Sequence, residues 1–328
     1  MTWAVHLTGD HEAMAAAELE AVAGPCNWLG PRVALVADGS GLERLGFLKE
    51  AGQFILHAPD QEGVIHATAQ VVAQTARPGS QAVATLRTGA KSAHDGLLKR
   101  IWGAALARDH PIDLKAPEHV VSAWLHDGCI TATWQALIGA TDHELRGVEH
   151  RAHFQPVSLS PRFARALVNL TGCKPGSRIY DPFCGTGGIL LEAAMMGFDA
   201  WGSDLDAWMV QGTLATLTDA GPAPLDGVVF QADIAQTPEL VDGIDAIVTD
   251  MPYGGASTTN HEALASLYER AFVAFAKMLA PGARAVIGHA DADLLAPVEQ
   301  HGFVIEDVFE HYVHKSMTRR FAVVKRTD

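Results

Sequence analysis

The sequence predicts an α/β protein with a mostly parallel C-terminal sheet, preceded by a smaller α+β region. Three observations carry this. After Pro156, strand and helix candidates alternate at the spacing of a parallel sheet. The last two strand candidates, Phe303–Tyr312 and Arg320–Lys325, are neighbours and read as an antiparallel hairpin closing that sheet. Before Thr141 the strands are mixed with alanine-rich helices in a different rhythm, and 328 residues exceed one ordinary domain.

In order along the chain, Trp3-Ala-Val-His-Leu7 is strand-like, and Asp10 is placed to cap an alanine-rich helix running to about Val22. Arg32–Ala37 is a short strand closed by Asp38-Gly39, and a helical pattern is expected over about Leu42–Glu50. A second unit follows. It has the helix Val64–Gln74, the strand Gln81–Arg87, and the helix Gly96–Arg108 stopped by Pro111. The strands Val120–His126 and Cys129–Leu137 flank the turn Asp127-Gly128. Residues 141–156 are polar and read as a linker, which gives boundaries at 1–60, 61–140, 141–156 and 157–328. Beyond it, Arg178–Asp181 leads into a glycine-rich turn and the helix Gly188–Met196. Ala200–Ser203 leads into Asp204 and a helix over Asp206–Leu217. Gly227–Phe230 ends near Asp233, and Asp245–Thr249 ends at Asp250. A long helix over about His261–Leu279 precedes the strand Ala283–Gly288.

Composition excludes several classes. A hydrophobic content of 48% builds a core, so wholesale disorder is excluded. No apolar run reaches the ~18–20 residues of a membrane helix, and the N-terminus has no basic patch before an apolar stretch. The cysteines Cys26, Cys129, Cys173 and Cys184 form no CxxC pair, which fits a reducing cytoplasm. His150/His153 and His311/His314 lack the matching ligands of a zinc site, so no metal is expected. The net charge of −14 opposes a polyanion, but the bases are clustered. Arg77–Lys115 holds seven bases against three acids, and Arg146–Arg165 four against one. The stretch His311–Thr327 holds five and no acid.

In an open α/β sheet, ligands bind at the carboxyl ends of the strands. Here Asp181, Asp204, Asp233 and Asp250 each follow a strand. The turn Gly185-Thr186-Gly187-Gly188 lacks the third glycine of a dinucleotide fingerprint, and an acid ahead of it repels a pyrophosphate. S-adenosylmethionine fits better, since it carries an ammonium, a ribose diol and an adenine amine without phosphate. Asp181 suits the ammonium, the turn around Phe183, Cys184, Gly185, Thr186 and Gly187 the carboxylate, Asp204-Leu205 the ribose, and Asp233-Ile234 the adenine. Cys184 has no adjacent base and is expected to pack under the ligand rather than act as a nucleophile.

Asp250-Met251-Pro252-Tyr253 matches the [Asn/Asp/Ser]-x-Pro-[Tyr/Phe] motif of amino-group methyltransferases. An exocyclic amine conjugated to a base is a poor nucleophile. A carboxylate accepting one N–H, with the carbonyl of Met251 accepting the other, holds the nitrogen nearer sp³. Pro252 biases Met251 toward extended backbone. Tyr253 offers a stacking face to a flipped-out base. Asp250 also suits the proton released as the amine is alkylated.

Asp181-Pro-Phe-Cys-Gly-Thr-Gly-Gly-Ile-Leu190 with Asp250-Met-Pro-Tyr-Gly254 resembles the archaeal tRNA guanosine-10 N2-methyltransferases. The likeness extends to Phe154–Leu170 and to His314-Lys-Ser-Met-Thr-Arg319, while Ile112–Glu118 is similar to the end of a THUMP domain. The resemblance implies a Rossmann-like class I methyltransferase domain with a seven-stranded sheet, behind a ferredoxin-like N-terminal domain and a THUMP RNA-binding domain. It implies S-adenosylmethionine-dependent methylation of the guanine 2-amino group in tRNA, once or twice, by a cytoplasmic monomer, and leaves room for a small activator protein. It also gives the basic islands a purpose, with Arg87, Lys91, Lys99, Arg100, Arg151, Lys315, Arg319 and Arg320 expected at the RNA. Met251 departs from the family's more usual second proline. Other targets keep the same chemistry: another tRNA position, ribosomal RNA, or the adenine 6-amino group. A non-catalytic RNA-binding relic would have no need of Asp250.

Overall fold

The computed structural model describes residues 1–88, 94–139, 146, 159–219, 229–253, 263–314 and 317–327. The chain forms two compact units. One comprises Met1–Glu12, Ala23–Glu43 and Phe47–Ala140; the other comprises Ala13–Val22, Arg44–Gly46 and Thr141–Asp328.

The first unit is built on one seven-stranded sheet. Its strands are β1 (Trp3–Leu7), β2 (Asn27–Gly30), β3 (Val33–Val36), β4 (Leu48–Pro59), β5 (Gln81–Thr88), β6 (His119–His126) and β7 (Cys129–Ile138). They lie in the order β2-β3-β1-β4-β7-β6-β5, and β5 with β6 is parallel. The β6–β7 turn has positive φ at both Asp127 and Gly128, as a two-residue hairpin of the right twist requires. The helices α2 (Glu62–Gln74) and α3 (Asp95–Leu106) bury Ile65, Val72, Leu98 and Trp102 in a core shared with β6 and β7.

The helical pattern expected over Leu42–Glu50 is a misreading. Only Leu42–Arg44 makes a 3-10 turn, and β4 begins at Leu48. The strand is dictated from outside its own sequence, because β4 pairs antiparallel with β1 on one side and β7 on the other. At Gly52 a β-carbon would stand 2.2 Å from the Trp134 carbonyl oxygen, so this pairing needs a glycine. Strands from both sides of residue 60 share this one sheet.

The second unit holds α1 (Glu12–Ala23) through Ala13–Val22, α4 (Pro161–Leu170), and a sheet with its helices. These are β8 (Arg178–Asp181), α5 (Gly188–Met195), β9 (Asp199–Asp204), α6 (Ala207–Asp219), β10 (Val229–Gln231), α7 (Thr237–Leu240), β11 (Ala246–Asp250), α8 (Leu264–Met278), β12 (Arg284–His289), α9 (Ala292–Leu295), β13 (Phe303–His314) and β14 (Met317–Arg326). The sheet order is β10-β9-β8-β11-β12-β14-β13, parallel except for the β13–β14 hairpin, as the sequence predicts. Buried Ile247, Ile287, Phe272 and Phe275 centre the core under α8. The buried Glu18 carboxylate of α1 accepts hydrogen bonds from the Gly46 N–H at 2.7 Å and the Asn169 side chain at 2.8 Å. Of the expected linker, the described Arg146 is tied to α5: its guanidinium and that of Arg165 both reach the fully buried Glu192, at 2.8 and 3.0 Å. No helix among the described residues is long and apolar enough to cross a membrane.

Candidate active site

Strand β8 lies between β9 and β11: the chain runs outward from β8 to β9 and β10, then crosses back to β11 on the other side of β8. A crevice at the carboxyl ends of strands opens at such a switch point. Asp181, Asp204 and Asp250 end these three strands.

Asp181 is buried. One carboxylate oxygen accepts from the Thr249 hydroxyl at 2.6 Å and from the Phe183 N–H at 3.1 Å. Burial raises its pKa to about 7, and the charges of Asp250 and Asp204 add to the rise while those two hydrogen bonds oppose it. Asp204 accepts from the Gly185 N–H at 3.0 Å and the Asp206 N–H at 2.9 Å; burial raises its pKa too. The glycine turn is held inward. Gly187 takes φ +84°, and a β-carbon there would lie 2.9 Å from the Thr213 side chain. Gly185 takes φ +51° and faces open space. The expectation that the turn's N–H groups meet a ligand carboxylate therefore needs amending. The Gly185 N–H is spent on Asp204 and the Gly187 N–H on the Cys184 carbonyl, so the first turn of α5 is added as a source of donors. Thr186 is buried in the same turn. Cys184 is buried beneath it, and burial pushes its thiol well up, so it stays protonated and packs rather than attacks.

The other expected cofactor residues are spread. Phe183 packs against the α8 core and Ile234 is buried within it, whereas Leu205 is exposed. Asp233 is bound in a two-pronged ion pair to Arg270 of α8, at 2.6 and 3.2 Å, and also accepts from the Ala235 N–H. Burial alone would raise its pKa, but Arg270 outweighs it and holds Asp233 ionised.

At the end of β11 the Tyr253 hydroxyl donates to Oδ1 of Asp250. The Met251 N–H donates to the Gly288 carbonyl at 2.9 Å, its side chain is 1% exposed in the core, and the Pro252 carbonyl accepts from the Tyr268 hydroxyl at 3.3 Å. The motif is thus bolted to β12 and α8. The Asp250 side chain is 19% exposed, and enclosure by protein raises its pKa to about 6 despite the opposing charge of Arg319. At pH 7 and above it is mainly a carboxylate, able to accept an N–H and then its proton.

The expected RNA residues divide. Lys99 pairs with Asp95 one turn earlier at 3.6 Å, and Arg100 is exposed beside it. Arg320 is engaged by Glu310 and the Ala290 carbonyl, both at 2.9 Å. Arg319 is 6% exposed, with its guanidinium 3.6 Å from Asp250 and 5.2 Å from the Tyr253 ring centre. Lys91, Arg151, Lys315 and the side chain of Arg87 lie outside the described residues, as do Gly254 and the His150/His153 pair. Sequence reasoning missed Thr249, Arg270 and Gly288 as neighbours of the acids. For Arg319 strand alternation gave no signal, because Phe321 and Val323 on its face of β14 and Ala322 and Val324 on the other are all buried.

A cluster of carboxylates at a switch point, behind a left-handed glycine turn, suits a ligand with an ammonium and a diol and disfavours a pyrophosphate. The donor set fits S-adenosylmethionine. Fold and site together define an α/β methyltransferase of the Rossmann-like class. Residues 149–320 match the family model of the RMKL-like methyltransferase domain, and the chain belongs to that family. It is 34% identical to a tRNA (guanine(10)-N2)-dimethyltransferase of Methanothermobacter thermautotrophicus over 70% of this chain and 68% of that protein. It is 32% identical to the one of Pyrococcus abyssi over 86% and 85%. The crystal structure of TrmN from Thermus thermophilus has the same fold, with a TM-score of 0.59 and 21% identity over 99% of this chain and 100% of that one.

Proposed function

We propose that this protein methylates the exocyclic 2-amino group of guanosine 10 in tRNA, to the mono- and then the dimethyl form, with S-adenosylmethionine as donor. The observation that carries this is Asp250, an enclosed carboxylate held by Tyr253 at the switch point next to Asp181 and Asp204. The target follows from the two relatives above, both tRNA (guanine(10)-N2)-dimethyltransferases.

When bound, S-adenosylmethionine supplies an electrophilic methyl on a sulfonium that leaves as a neutral thioether. Asp181 would hold its ammonium, the first turn of α5 its carboxylate, and Asp204 the ribose hydroxyls. Asp233, already shared with Arg270, offers the adenine amine its remaining lone pairs. Asp250 and the Met251 carbonyl each accept one N–H of the guanine amine, which localises the lone pair on nitrogen. As the N–C bond forms, the nitrogen's proton passes to Asp250, the nearby base of suitable pKa. A second methyl requires the once-methylated amine to return with its remaining N–H on Asp250. Residues 61–140 of the first unit are read as the RNA-binding THUMP domain, with Lys99 and Arg100 toward the phosphate backbone.

The test is transfer from labelled S-adenosylmethionine to unmodified tRNA, with nucleoside analysis and Asp250→Ala alongside. The expected result is N2-methylated guanosine at position 10, abolished by the mutation. Cofactor binding with no transfer to tRNA would move the target elsewhere, and absence of cofactor binding would sink the enzyme reading.

A further inference from the structure

We propose that Arg319 is a positioning residue for methyl transfer, which balances the charge of Asp250 and braces Tyr253, rather than a contact to the RNA. This rests on the reading of Asp250 as acceptor of the amine N–H.

The arrangement follows from strand register. Gly288 on β12 is paired with Asp250 on β11 and with Phe321 on β14. Gly288 carries no side chain, so the Asp250 carboxylate lies over it, and a β-carbon there would come within 2.2 Å of Oδ1. Two residues before Phe321, Arg319 shares the same sheet face and reaches across from β14 to the end of β11. The two oxygens of Asp250 are thereby divided. Oδ1 takes the Tyr253 hydroxyl, and Oδ2 faces the Arg319 guanidinium at 3.6 Å. The same guanidinium lies 5.2 Å from the Tyr253 ring centre. It lies over one face of that ring and braces it.

An arginine suits this place because it cannot lose its proton, whatever the burial. The groups facing Asp250 are Arg319 from β14, Tyr253 on its own strand end, the like charge of Asp181 on β8, and the Tyr268 hydroxyl on α8. Among these the guanidinium is the charge that favours the ionised form, and the Tyr253 hydroxyl supports it as a hydrogen-bond donor. A side chain 6% exposed and turned to a carboxylate is poorly placed for phosphate.

The experiment uses the full chain with Arg319→Met and Arg319→Gln, both neutral. Carboxyl titration of carbon-13-labelled aspartate, with Asp250→Asn to assign the signal, reads Asp250 without cofactor or RNA. Methyl transfer against pH and tRNA affinity against salt are read alongside. Removing the cation should move the Asp250 titration, and with it the acid limb of kcat, upward by about one pH unit or more. Transfer at pH 7 should fall several-fold and recover at higher pH, while tRNA affinity and its salt slope stay within about twofold. An unmoved titration would overturn the proposal, as would an unmoved acid limb with weaker tRNA binding and a shallower salt slope. If the wild-type chain methylates no RNA, the functional reading fails alone, since the aspartate titration still reads the pair. Should one neutral variant fail to fold, the other carries the same comparison.

Discussion

A β-carbon on Gly288 would lie 2.2 Å from Oδ1 of Asp250 and 3.2 Å from its Cα, so the position of the carboxylate depends on this residue having no side chain. Gly288→Ala forces Asp250 off its place between Tyr253 and Arg319. Overpacking of this kind costs about 1–3 kcal/mol, and if it falls on the transfer geometry kcat drops about tenfold or more. Affinity for S-adenosylmethionine should change little, because Asp181 and Asp204 sit on other strands. Unchanged kcat in a well-folded variant would mean that transfer does not require the carboxylate where the structure holds it.

Asp181 makes cofactor binding depend on pH. Burial raises its pKa to about 7, so near neutrality a large share of the protein carries a neutral carboxyl there. A neighbouring ammonium favours the charged form. Binding therefore expels a proton at pH 6–7, and affinity should rise as pH increases from 6 to 8. Calorimetry in two buffers of different ionisation enthalpy measures the released proton directly. Asp181→Asn should bind more weakly at pH 8 and lose most of the pH dependence. If affinity is flat across this range, Asp181 does not face the ammonium.

What was legible in the sequence is what local chemistry encodes. Asp181 with its glycine turn, Asp204 and Asp250-Met-Pro-Tyr253 are each written in a few contiguous residues, and β8, β9, β11 and the β13–β14 hairpin lie where the pattern puts them. What was illegible depends on residues distant in sequence. Strand β4 takes its form from β1 and β7, so the helical pattern of Leu42–Glu50 was no guide. Asp233 looked like an open acid until Arg270, 37 residues on, closed on it. Arg319 read as part of a basic island, because a run of bases shows its charge and hides which members a strand turns inward.

Glu192 is the buried anion between Arg146 and Arg165, with contacts of 2.8 and 3.0 Å. Its side chain is fully buried, and the two arginines are nearly so. Removing one member of such a group leaves charge buried without its partner, at about 3–5 kcal/mol. Glu192→Ala should lower the unfolding free energy of the second unit, read by urea denaturation, by that order, and Glu192→Gln, which keeps the hydrogen-bonding shape, by less. Arg146→Met should cost less than Glu192→Ala, because the Arg165–Glu192 pair survives it. Equal melting of wild type and Glu192→Ala would show that the triad carries no net stability.

His6 sits fully buried on β1, opposite Glu50 on β4 and 5.4 Å from the Trp124 ring. Burial, helped by the charges of Lys49, Arg32 and His126, lowers its pKa to about 3. His57 and His126, 5.7 Å apart and both bonded to the Thr131 hydroxyl, are lowered mainly by burial as well. A histidine depressed in the folded state leaves the unfolded chain binding more protons below its ordinary value of 6.5. Its contribution is therefore present above pH 6.5 and lost as pH falls. For His6 alone the loss is about 2 kcal/mol at pH 5, from 1.5 pH units below 6.5 at 1.36 kcal/mol each. The raised pKa of Glu50 acts in the opposite direction, so the variant difference is the cleaner measure. His6→Gln should be less stable than wild type at pH 7.5 through lost packing, and the gap should close by about 2 kcal/mol on going to pH 5. Urea denaturation at the two pH values measures it, and a gap independent of pH would mean that His6 takes up a proton in the folded protein.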